Sequence, residues 1–179
     1  MKYLIVSDIH GSVNSANIIK EKFETLKCDK ILLLGDILYH GPRNDLPANY
    51  APKQVISVLN PLKEYIIAVR GNCDAEVDQM VLDFKINEDY SFIYNNKNIY
   101  LTHGHHVNHL NPKSFESNTI VLHGHTHIIR KDVVNNDIYV NIGSITLPKE
   151  NTPRCYAILE NNEIVVYDIE DNEVLKVSL

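Results

Sequence analysis

The first half of the chain alternates short continuous apolar runs with stretches of helical spacing. Residues 2–7 (KYLIVS) form a run rich in strand formers that stops at Asp8. Residues 12–26 then place Ala16, Ile19, Phe23 and Leu26 one helical turn apart. A second apolar run, 29–34, stops at Gly35-Asp36, and a Gly- and Pro-containing stretch from 40 to 52 reads as a loop before a short helix at 53–59. A third run, 65–69, ends near Gly71-Asn72. Strands alternating with helices predict right-handed βαβ units in a mostly parallel sheet.

From residue 91 the pattern changes to closely spaced strands, predicted at 91–94, 98–102, 119–122, 128–134, 137–141, 154–159, 163–169 and 173–177. Asn95-Asn96, Asn135-Asn136 and Asn161-Asn162 separate strands, the last two as hairpin turns. The expectation is an α/β fold of two packed sheets with helices outside and an antiparallel second half. With no repeat, linker or composition break, residues 1–179 read as one domain.

Composition narrows the function. At 44% apolar and 22% charged, the 179 residues have globular composition. No apolar run approaches the roughly 18 residues of a membrane span, and no basic stretch leads into a leader-like segment, so a cytoplasmic protein is expected. The net charge is −6, without a basic cluster, which disfavours a surface for long nucleic acid. Cys28, Cys73 and Cys155 are odd in number and widely spaced, neither a disulfide framework nor a zinc motif. Histidine is the unusual component, with seven of nine between His103 and His127.

Five apolar runs each end in a side chain able to bind a metal: YLIVS before Asp8, ILLLG before Asp36, IIAVRG before Asn72, IYLT before His103 and IVLHG before His125. In α/β sheets the loops beyond the carboxyl ends of strands converge on one crevice. Asp8 with His10, and His125 with His127, are i, i+2 pairs whose side chains point the same way in an extended chain. One Asp or Asn after a strand is ordinarily a cap or turn residue, and GHTH alone is a weak signal. The ordered set of five carries the chemistry. Two carboxylates, one amide oxygen and four imidazoles exceed what one ion needs and suit two ions with open positions. Such a site, with a local charge of about +2, fits an anionic substrate plus hydroxide, as in phosphoester hydrolysis.

Asp8-Ile9-His10, Gly35-Asp36, Gly71-Asn72-Cys73-Asp74, Thr102-His103-Gly104 and Gly124-His125-Thr126-His127 together resemble the motif series of the calcineurin-like metallophosphoesterases. The likeness runs from residue 2 to at least Gly143-Ser144. Residues 35–52 and 68–80 are most similar to the small bacterial phosphodiesterases of that superfamily. It implies a four-layer α/β/β/α sandwich of two mixed sheets and a phosphodiesterase acting on small phosphodiesters. It also implies a two-metal centre: Asp8, His10 and His127 on one ion, Asn72, His103 and His125 on the other, and Asp36 bridging, with a bridging hydroxide as nucleophile. Mn²⁺ leads the expected metals, with Fe, Zn, Co or Ni as alternatives.

Many family members carry His directly after the motif Asn, where this chain has Cys73. A thiol is a poor substitute for an imidazolium, so diesters with acidic leaving groups are expected to be preferred over alkyl monoesters. Cys73 as a small filler is the equal alternative. Arg43 is a candidate phosphate contact, or an exposed partner of Asp45, and His40 is a weaker candidate for the same place. Asp74 and His123 are candidates for supporting the ligands from behind. His105 replaces His103 as ligand if that strand runs further, whereas His106 and His109 read as a solvated loop and Arg70 as an ion-pair partner. A non-catalytic scaffold on the same fold, as in the retromer subunit of this architecture, is the competing function. A nuclease or nucleotide phosphatase of the superfamily is the other, and a homo-oligomer is compatible with either.

Overall fold

In the computed structural model, which describes residues 1–116 and 118–179, the chain builds two sheets that share an apolar interior. Strands β1 (Tyr3–Val6), β2 (Lys30–Leu33), β3 (Ile66–Val69) and β4 (Ile86–Asn87) run parallel, joined by helix α1 (Val13–Thr25) and helix α2 (Pro52–Leu59). The order β12–β11–β10–β1–β2–β3–β4 is completed by the antiparallel strands β10 (Cys155–Glu160), β11 (Glu163–Asp168) and β12 (Glu173–Ser178). The second sheet has the order β5–β6–β7–β9–β8, from β5 (Tyr90–Tyr94), β6 (Lys97–Leu101), β7 (Thr119–His123), β8 (Ile129–Val134) and β9 (Asp137–Ile142).

The period-2 alternation of the strands explains the layering. Leu4, Val6, Ile31 and Leu33 face the helices and pack on Ala16, Ile19, Phe23, Val55 and Leu59. Tyr3, Ile5, Leu32 and Leu34 face the other way, onto Ile99, Leu101, Ile120, Leu122 and Val140 of the second sheet. Both strand faces are therefore buried, which is why these segments are continuously apolar in sequence. α1 begins where Ser12 Oγ accepts the Ser15 N–H at 3.4 Å, and α2 begins on Pro52, which needs no donor there.

Three expectations change. The second half is mixed, because segment 102–118 carries the chain back before β7 begins, making β7 parallel to β6, and β9 lies parallel beside β7. All three Asn pairs, Asn95-Asn96 included, close two-residue hairpins with both residues at positive φ, the conformation that Asn tolerates and such turns require. The outer layer on the second sheet is irregular chain, with no helix among its described residues. Val107 and Phe115 of that segment pack on Tyr100, Val121 and Tyr139. The missed elements, β4 and the 3₁₀ turns at Asn60–Tyr65 and Glu76–Met80, are too short to leave a period.

Candidate metal centre

The carboxyl ends of β1, β2, β3, β6 and β7 deliver the five motifs to one rim of the paired sheets. The turns after β1 and β2 are stitched together by the N–H groups of Asp8, His10 and Gly11, which donate to the carbonyls of Gly35, Asp36 and Ile37 at 3.1, 2.8 and 2.9 Å. The Gly124 N–H donates to the His103 carbonyl at 3.0 Å in the second sheet.

Asp8, His10, Asp36, His125 and His127 all adopt positive φ, between 49° and 71°. The i, i+2 pairs therefore do not converge as extended chain. Left-handed residues turn the backbone sharply and aim successive side chains inward. Each such conformation costs about 1 kcal/mol or more, and it persists because the hydrogen bonds around it over-determine the turn. Two glycines are fixed by close approach: a Cβ on Gly71 would meet Asp36 Oδ1 and Asp36 N, and one on Gly124 would meet Ser7 Oγ and Asp8 Oδ2.

Three imidazoles share one arrangement. The Nδ1–H of His10 donates to the Tyr39 carbonyl (2.8 Å), that of His103 to Leu34 (2.6 Å) and that of His127 to Leu147 (2.6 Å). A carbonyl only accepts, so Nδ1 carries a proton in each ring and Nε2, the atom left for a metal, points into the site. His10 Nε2 and His127 Nε2 are 3.2 Å apart, and His103 Nε2 is 3.1 Å from Asn72 Oδ1. Asp8 Oδ1 lies 3.1 Å from His127 Nε2 and 3.5 Å from His10 Nε2. Asp36 Oδ2 lies 3.3 Å from His103 Nε2 and 3.6 Å from His10 Nε2.

These atoms converge into three overlapping groups: Asp8–His10–His127, Asp8–Asp36–His103 and His10–Asp36–Cys73. Buried Asp8 Oδ1 has no hydrogen-bond partner among the described residues. Lone pairs facing one another and an orphaned carboxylate oxygen are costly unless a positive charge lies between them. Metal–nitrogen bonds of about 2.1 Å put two ligands of one ion about 3.0–3.4 Å apart, so the observed spacings suit ligands on a shared ion. The donor set fits divalent transition metals.

The electrostatics agree. Burial would raise Asp8 and Asp36, but neighbouring imidazoles win and hold both below the usual carboxylate range. Burial would lower His103, yet Asp36 and Asp8 push it up to about 9. His125 goes the other way, lowered by burial, by His103 and by the Arg43 guanidinium.

His125 stands edge-on beside them and in none of the three groups, its ring 5.1 Å from that of His103, while its backbone N–H donates to Asp8 Oδ2 at 3.1 Å. His105 stands one shell out, 5.4 Å from the His103 ring, its Nδ1 outside every ligand group. Asp74 holds the floor. Its carboxylate accepts the N–H groups of Asp36, Ile37 and Gly71 at 2.8, 2.8 and 2.7 Å, although burial raises its pKa. His123 is buried behind the ligands and pushed down to about 4 by burial, so it is neutral. Burial and Asp36 push the Cys73 thiol up to about 12, and its N–H donates to Asp36 Oδ1 at 2.8 Å.

A cavity of ≈ 250 Å³ opens over the group, lined by Asp36, Asn72, Cys73, His125 and His127 and by Arg43 and Lys149 at its mouth. His40 is not among the lining residues. Its ring packs between Tyr39 and Tyr50 (4.7 and 5.2 Å), and its carbonyl accepts from Asn44 (2.8 Å), holding the Arg43 turn. Arg43 forms no ion pair with Asp45 among the described residues, whereas Arg70 pairs with Glu88 at 3.2 Å. Sequence reasoning missed Lys149, which no motif marks.

The model of the calcineurin-like phosphoesterase superfamily domain matches residues 1–163. Phosphodiesterase YfcE of Escherichia coli K12 is 38% identical over 176 residues, covering 98% of this chain and 96% of that protein. The solved structure of YfcE, a phosphoesterase from E. coli, superposes with a TM-score of 0.95 at 36% identity, covering 99% of both chains. Zinc-bound Vps29 of Entamoeba histolytica, at 22% identity and a TM-score of 0.63 over 100% of this chain and 98% of its own, shares the fold alone. With these motifs on one rim, the chain belongs to the calcineurin-like phosphoesterase superfamily.

Proposed function

We propose that this protein is a metal-dependent phosphodiesterase that hydrolyses small phosphodiesters at a two-metal centre. The observation that carries the reading is the buried, partnerless Asp8 Oδ1 beside the two Nε2 atoms of His10 and His127, 3.2 Å apart, in a chain similar to a phosphodiesterase over nearly its whole length. Asp8, His10 and His127 would hold one ion and Asn72, His103 and His125 the other, with Asp36 available to both. Mn²⁺ is the leading candidate, with Fe, Zn, Co and Ni compatible with the mixed N/O donors. Such ions would supply Lewis-acid polarisation of the phosphoryl oxygens and lower the pKa of water at the site.

The protein's own groups do the rest. Backbone carbonyls fix the imidazole tautomers, and the Asp74 carboxylate keeps the Asp36 turn in place. Arg43 reaches the phosphoryl oxygens from the mouth of the cavity. Cys73, neutral and thiol-bearing, stands where an imidazolium would protonate a poor leaving group, so diesters with acidic leaving groups are the better substrates. A scaffold would not require this complete inward-facing donor set.

The test is hydrolysis of bis(p-nitrophenyl) phosphate by chelated protein, then by protein reloaded with Mn²⁺, alongside Asp36→Asn. Activity that disappears on chelation, returns with Mn²⁺ and is lost in the variant supports the reading. Full activity in the chelated protein removes it.

A further inference from the structure

The mouth of the cavity carries more positive charge than a simple phosphodiester needs. Two divalent ions against Asp8 and Asp36 leave about +2, which one diester anion and one hydroxide neutralise. Arg43 and Lys149 add two cations at the same cavity. Neither forms an ion pair with a carboxylate among the described residues, although Asp45 and Glu150 lie close in sequence. Among the described lining residues the one carboxylate is Asp36, which is already committed to the imidazoles.

The backbone that carries both residues is anchored, while their charged ends are exposed. The Lys149 N–H donates to the His127 carbonyl at 3.1 Å. Thr152 Oγ1 donates to that carbonyl at 3.1 Å and to the Lys149 carbonyl at 2.8 Å. On another loop, the Asn44 amide ties down the turn that presents Arg43 to the cavity. Among the described residues no Phe, Tyr or Trp lines the cavity, and its two aromatic rings are the imidazoles of His125 and His127. The volume of ≈ 250 Å³ suits a phosphoryl group with a short substituent.

We infer that Lys149 makes this cavity select small phosphodiesters that carry a second anionic group on an ester substituent. The inference rests on the phosphodiesterase reading and names its substrate class. Lys149 is then a specificity-determining residue that contacts the substituent's carboxylate or phosphonate, whereas the ligand group and Arg43 hold the diester itself.

The experiment compares p-nitrophenyl phosphodiesters whose second ester is propyl, 2-carboxyethyl or 2-phosphonoethyl, all releasing the same chromophore. The expected result is a KM about five- to tenfold lower for an anionic ester than for the propyl ester. Lys149→Met should reduce that preference to about twofold and Lys149→Glu should invert it, with melting temperature checking that the variants fold. Raising the salt to 1 M should shrink the preference, because the screening length falls to about 3 Å. The carboxylate and phosphonate arms separate the two anion sources. Calorimetric binding of the matching methylphosphonate monoesters, propyl against 2-carboxyethyl, gives a readout independent of turnover. Equal affinity for charged and neutral members, or a preference untouched by Lys149→Glu, overturns the inference. Failure to hydrolyse any ester overturns the phosphodiesterase reading instead and leaves the binding comparison to decide this one.

Discussion

His10 and His127, 117 positions apart in the chain, place their Nε2 atoms 3.2 Å from each other while both donate Nδ1–H to backbone carbonyls. Two lone pairs directed at one point specify a shared cation. Manganese at a hundred times its dissociation constant should stabilise the protein by about 2.7 kcal/mol, which at this size is a melting shift of about 5–10 °C. Scanning calorimetry before and after chelation measures it. His127→Ala should remove most of the shift, and identical melting curves with and without metal would contradict the assignment.

Metal uptake should release protons. In the metal-free protein Asp36 and Asp8 hold His103 up to about 9 against its burial, so at neutral pH an imidazolium occupies the group. A metal takes the neutral ring, and the proton leaves. Affinity should therefore fall as the pH drops below about 9, by up to tenfold per unit for one coupled proton. Titrations in buffers of different ionisation enthalpy count the protons. An affinity flat between pH 6 and 9 would refute the coupling.

Gly71→Ala should behave unlike an ordinary loop substitution. The added Cβ meets Asp36 Oδ1 and the Asp36 backbone nitrogen, neither of which can swing away. A stability loss of about 1–3 kcal/mol in denaturant and a large drop in metal affinity are expected. The contact is wrong if the variant binds metal as the parent does.

Asp74→Asn keeps the shape of the side chain but exchanges one acceptor oxygen for an NH₂ facing backbone donors. Of the three N–H groups the carboxylate now accepts, at least one loses its partner in a buried place. Urea denaturation of chelated protein should show about 1–3 kcal/mol of destabilisation. The chelated background separates this structural effect from metal loss.

Cys73→His supplies a group able to protonate a leaving oxygen. The ratio of alkyl-ester to aryl-ester hydrolysis should rise by about 10²-fold or more, the lower end of what a positioned general acid gives. An unchanged ratio would return Cys73 to the role of filler beneath Gly41, whose added Cβ would lie 2.9 Å from the thiol.

The sequence by itself determined the apolar runs, the helices that separate them and the polar residue at each strand end, because burial on both faces leaves a continuous signal and the pleat fixes where it stops. It also marked the Asn-pair turns, since few residues tolerate positive φ twice in succession. Only the tertiary structure decided that β7 runs parallel beside β6 and β9 parallel beside β7, for the direction of a strand is set by the path of its connection and not by its own pattern. The tertiary structure also decided how the donors converge. Asp8, His10, Asp36, His125 and His127 meet through left-handed turns held by hydrogen bonds between distant segments, a conformation that no local preference of Asp or His announces. Lys149 stayed invisible in the sequence for a similar reason: its place beside the cavity comes from a bond to the His127 carbonyl, and a single surface lysine carries no pattern of its own.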